Sequence, residues 1–73
     1  MDRAAVQRRL QKAEGLAQRL AENVAFQRQM IATLEQDGHD VKAAKMFLGR
    51  LEATHAKHVA DRDRLSKELA NHS

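Results

Sequence analysis

Cysteine and proline are both absent from the 73 residues, and glycine occurs only three times. Without cysteine there is no disulfide and no thiolate zinc site to staple a small domain. Without proline, little interrupts a helix. Aromatic side chains are scarce as well, with two Phe and neither Trp nor Tyr. No apolar run is long enough to span a bilayer, and the first residues lack the apolar stretch of a secretory signal. A soluble, cytoplasmic protein is the expectation.

What remains is dominated by Ala, Leu, Glu, Gln, Lys and Arg, the strong helix formers. This is the composition of long helices and coiled coils. The length suits one small domain, residues 1–73, and a chain this short buries only part of its surface. Stability must then come from well-ordered helix packing or from oligomerisation. The 13 Lys and Arg exceed the 10 Asp and Glu, for a net charge of +3. The signs are mixed in both halves: six cations against four anions over 1–36, seven against six over 37–73. That pattern describes a solvated helical surface. The nearest approach to a basic cluster is Arg3, Arg8, Arg9 and Lys12, interrupted by Gln and Ala.

The clearest break is Asp37-Gly38-His39-Asp40. Before it, apolar residues recur in steps of three and four: Val6, Leu10, Ala13, Ala17, Leu20, Val24, then Gln27, Ile31 and Leu34. After it the spacing resumes as Val41, Ala44, Leu48, Leu51, His55, His58, Arg62, Leu65 and Leu69. Both are heptad seams. The sequence predicts a helix over 3–36 capped by Asp2, a turn over 37–40, and a helix over 41–70 capped by Asp40. Gly38 is placed to adopt the left-handed conformation that closes a helix.

If the arms run antiparallel about the turn, facing seam positions have a constant sum. Leu34 then meets Val41, Val24 meets Leu51, Leu10 meets Leu65 and Val6 meets Leu69. Ala17 and Ala13 come opposite His58 and Arg62, small against large, as close packing requires. His55, His58 and Arg62 form a polar layer in the seam. Beside the seam, Arg9 is expected next to Glu68, Met30 next to Phe47, and Arg28 unfavourably near Lys45. Leu16, Phe26, Met30 and Phe47 make an apolar flank that a lone hairpin leaves wet.

Chemistry finds little support. His55 and His58 lie three apart with Asp61 continuing the spacing, which would suit a divalent metal. The competing role is a register-fixing polar layer, and no metal or other cofactor is assigned. Buried histidines there would also loosen the bundle in acid. Asp37, His39 and Asp40 are read as turn chemistry rather than ligands. Ser66 and Ser73 lack a base and an orienting partner, there is no Gly-rich phosphate loop, and Asp61 and Asp63 lie on different helix faces. The chain is therefore not read as an enzyme.

Leu34-Glu35-Gln36-Asp37-Gly38-His39-Asp40, Phe47-Leu48, and His58 through Leu65 (His-Val-Ala-Asp-Arg-Asp-Arg-Leu) together resemble a pattern in short uncharacterised helical proteins of alphaproteobacteria. The resemblance spans about residues 31–69. It implies a bacterial, cytoplasmic origin and no activity, cofactor or site residue.

The expected architecture is all-α: an antiparallel, coiled-coil-like two-helix hairpin that dimerises into a four-helix bundle. The expected function is a small non-enzymatic interaction or adaptor module acting through its helical surface, with Leu16, Phe26, Met30 and Phe47 as the contact surface. Its partner is a second copy, or a helix of another protein. The alternative is a nucleic-acid-associated hairpin laying a basic edge along phosphates.

Overall fold

The computed structural model describes residues 2–71. Two helices pack against each other: α1 spans Arg3–Gln36 and α2 spans Lys42–Asn71. There is no strand among the described residues. The hairpin measures 55 × 14 × 13 Å, a rod one helix pair thick.

Each helix end has an identifiable cause. Asp2 holds an extended conformation, and its Oδ1 accepts the Ala5 N–H at 2.7 Å while its carbonyl accepts the Val6 N–H at 3.2 Å. This satisfies amides that the first turn would otherwise leave unpaired. At the other end of α1, Gly38 takes φ +80°. The Gly38 N–H then donates to the Glu35 carbonyl at 3.1 Å, and the His39 N–H to the Leu34 carbonyl at 3.0 Å. These two bonds are the Schellman closure, and the left-handed residue makes them possible. Asp40 Oδ1 accepts the Lys42 N–H at 3.0 Å, starting α2. The second helix begins one residue later than the sequence predicts, because Val41 contributes only its carbonyl, to the Lys45 N–H at 2.9 Å.

Among the described residues, six apolar side chains are buried: Val6, Ala13, Ala17, Val24, Ile31 and Leu65. All six are seam positions, and every other seam residue is half-buried. Five of the six belong to α1. On α1 the buried positions are held by Val6, Ala13, Ala17, Val24 and Ile31, whereas the other seam residues of α2, from Ala44 to Leu69, keep an outer edge in water. Leu65 is the exception at 2% exposure, packed with Val6 and Ala13 and flanked by Leu10 and Leu69.

Across one side of the seam, two ion pairs join the helices. Arg28 Nη2 meets Glu52 Oε2, and Lys45 Nζ meets Glu35 Oε2 at 3.1 Å. This corrects the expected approach of Arg28 to Lys45. Side chains on a helix lean toward its N-terminus. In antiparallel helices the two leans oppose, so Arg28 meets a residue nearer the C-terminus of α2 than a flat register suggests. Each cation finds a carboxylate instead of the other cation.

Candidate functional site

Three of the four expected contact residues lie exposed toward the turn end of the rod. Phe26 is 56% exposed, Met30 42% and Phe47 52%, and Met46 joins them at 58%. Helical spacing fixes the side. On α1, Arg9, Lys12, Leu16, Arg19, Asn23, Phe26 and Met30 form one stripe in steps of three and four. On α2, Ala43, Phe47, Arg50, Thr54, Lys57, Asp61 and Arg64 form another. Arg9, Lys12 and Leu16 border the same groove as His58, Asp61 and Arg64, so the two stripes share a side of the hairpin. Phe47 is two heptads from Asp61, and Met30 is two heptads from Leu16. The register therefore carries Met30 and Phe47 onto that side as well, opposite the Arg28–Glu52 and Lys45–Glu35 pairs.

Leu16 stands apart from the other three. It is half-buried in the groove with Arg9, Lys12, His58, Asp61 and Arg64. Around Phe26 and Met30, a shallow cleft is lined also by Gln29, Thr33 and Leu34. The apolar surface is thus a patch near the turn, and Leu16 belongs to a separate, cation-rimmed groove. Met46 was not singled out from the sequence because it lies off both the seam and the stripe. Its signal was present all the same: a large apolar residue adjoining Phe47 on a face that is otherwise polar.

The polar layer is half-buried. His55, His58 and Arg62 all keep an edge in solvent, and no polar or charged side chain among the described residues is buried. The expectation of buried histidines is corrected accordingly: a two-helix seam is open along both edges, so an imidazole in it reaches water. Arg62 turns its head outward, its Nε and Nη2 donating to Asp63 Oδ1 at 3.2 and 3.1 Å.

Among the described residues, no group of three or more His, Asp or Glu side chains is gathered to hold a metal ion. Asp37, His39 and Asp40 are exposed, with Asp40 engaged in capping α2. Ser66 is exposed, and Ser73 lies outside the described residues. Arg9 and Glu68 do not form an ion pair. Arg64 instead bonds Asp61, and that hydrogen bond, with the charge of Asp61, raises the Arg64 pKa above its already high ordinary value. The guanidinium stays charged throughout the range around neutrality, so Arg64 introduces no pH dependence there. No helix of the described residues is long and apolar enough to cross a membrane.

None of the protein families, curated proteins or solved structures compared with the chain matches it. The geometry of its own surface therefore carries the functional reading.

Proposed function

We propose that the chain is a small interaction module without chemistry of its own, and that its contact surface is the patch of Phe26, Met30, Met46 and Phe47. We propose further that two copies join through this patch, so that four helices meet over their turn-proximal halves. The observation that carries the reading is the exposure of four large apolar side chains, each 42% or more, in one half of a thin rod. Such patches mark interfaces.

The small core supports the same reading. Six buried residues, two of them alanine, leave a hairpin short of burial, and a partner that binds only the folded state adds stability by mass action. Charge limits how two copies meet. Arg19 and Lys57 are exposed on the same side as the patch, farther from the turn, and Arg50 is exposed at its edge, level with Phe26. Full-length pairing with the turns together would set these cations against their copies. Pairing with the turns apart would set cations against the apolar patch. Overlap confined to the patches, with the arms diverging, keeps Arg19 and Lys57 clear of the partner and leaves Arg50 at the edge of the contact.

Sedimentation equilibrium of the wild type and of Phe47→Ser tests the proposal. The wild type is expected to be dimeric and the variant to dissociate at least tenfold more readily, about 1.4 kcal/mol. A wild type that is monomeric at every concentration would remove self-association from the proposal.

A further inference from the structure

Away from the turn, the same side of the hairpin changes character. A groove of about 240 Å³ runs between the helices, with Leu16 and Leu65 in its floor and Arg9, Lys12 and Arg64 on its rim. Asp61 also reaches the groove, but Arg64 engages it. Arg9 and Lys12 are exposed, and neither takes part in any of the ion pairs of the described residues. Leu16 is about 15 Å along α1 from Phe26 at 1.5 Å per residue, so this groove is distinct from the patch beside the turn. Occupation of one leaves the other open.

An apolar floor bordered on its α1 edge by two unpaired cations, facing the Arg64–Asp61 pair on α2, fits one kind of ligand. We infer that the groove docks an acidic segment of another protein, with an apolar side chain seated against Leu16 and Asp or Glu residues beside Arg9 and Lys12. Opposite charge steers such an encounter, and the apolar contact holds it. A phosphodiester strand would meet Leu16 where it needs a donor. A second copy of the chain would bring cations of its own to the rim.

The test is selection of random peptides on the immobilised whole chain, with single-stranded RNA and vesicles of phosphatidylserine and phosphatidylcholine as parallel probes. The selected peptides are expected to carry Asp or Glu on both sides of a Leu, Ile or Phe. Their affinity should fall about tenfold or more in an Arg9→Glu, Lys12→Glu double variant, since reversing a rim charge turns attraction into repulsion. Binding should persist in Arg9→Lys and in Phe47→Ser. Both reversed residues are exposed, and circular dichroism of the double variant checks that its helices remain. The inference is overturned if no peptide is enriched, if enriched peptides lack acidic residues, or if charge reversal leaves their affinity unchanged. Binding of RNA or of vesicles through Arg9 and Lys12, with no acidic peptide selected, would overturn it equally.

Discussion

Gly38 holds φ at +80°, whereas Gly15 and Gly49 lie inside helices, so one substitution acts in opposite directions at the three sites. A Cβ built at any of them meets nothing within 4 Å, which leaves the backbone to decide. Gly38→Ala should destabilise the fold by about 1 kcal/mol, the cost of a left-handed residue with a side chain. Gly15→Ala and Gly49→Ala should each stabilise it by about 0.5–1 kcal/mol. Thermal melts should therefore shift down for the first and up for the others, by roughly 4–8 °C per kcal/mol in a domain of this size. An unchanged melt for Gly38→Ala would contradict the turn geometry. Burial separates the leucines in the same way. Leu65→Ala should cost about 3 kcal/mol, because the cavity forms against Val6 and Ala13. Leu51, half-buried on the same helix, should cost roughly 1 kcal/mol under the same change, since water already reaches part of it. Chemical denaturation of the two variants measures the difference.

The helices themselves were legible because their signals are local. Spacing in threes and fours gave the seam, and every seam position is buried or half-buried in the structure. Asp2, Gly38 and Asp40 act on amides and carbonyls within a few positions of themselves, so their roles follow from the sequence alone. The flanking pairs are different. Which residue Arg28 meets depends on the lean of two side chains across a gap between antiparallel helices, and no one-dimensional spacing encodes that lean. Neither the Arg28–Glu52 nor the Lys45–Glu35 pair is buried, so each contributes at most about 1 kcal/mol and less in high salt. Register is set mainly by the turn and the seam. Inserting one glycine after Gly38 turns α2 by about 100° relative to α1, given 3.6 residues per turn. It should lower the melting temperature by more than roughly 10 °C, the equivalent of about 2 kcal/mol. A melt unchanged by the insertion would show that the pairing of the arms does not hold the hairpin together.

As a whole, the molecule is a rod 55 Å long and about 14 Å across, with a core one side chain deep and a surface divided along its length. The ion-paired side, with Arg28–Glu52 and Lys45–Glu35, faces one way. The other side runs from an apolar patch at the turn to a cation-rimmed groove beyond it. The sequence marked Phe26, Met30 and Phe47 because they fall off the seam, but it grouped Leu16 with them. The division between patch and groove emerges only when residues from both helices are set side by side. If two copies meet through the patch, its backbone amides are the ones that feel the partner. Amide spectra of the isotope-labelled chain, recorded from dilute to concentrated solution, test this most directly. Concentration-dependent shifts are expected, centred on Phe26, Met30, Met46 and Phe47 and fading toward Arg9 and Lys12. Shifts centred on Arg28 and Glu52, or spectra that do not change with concentration, would contradict it.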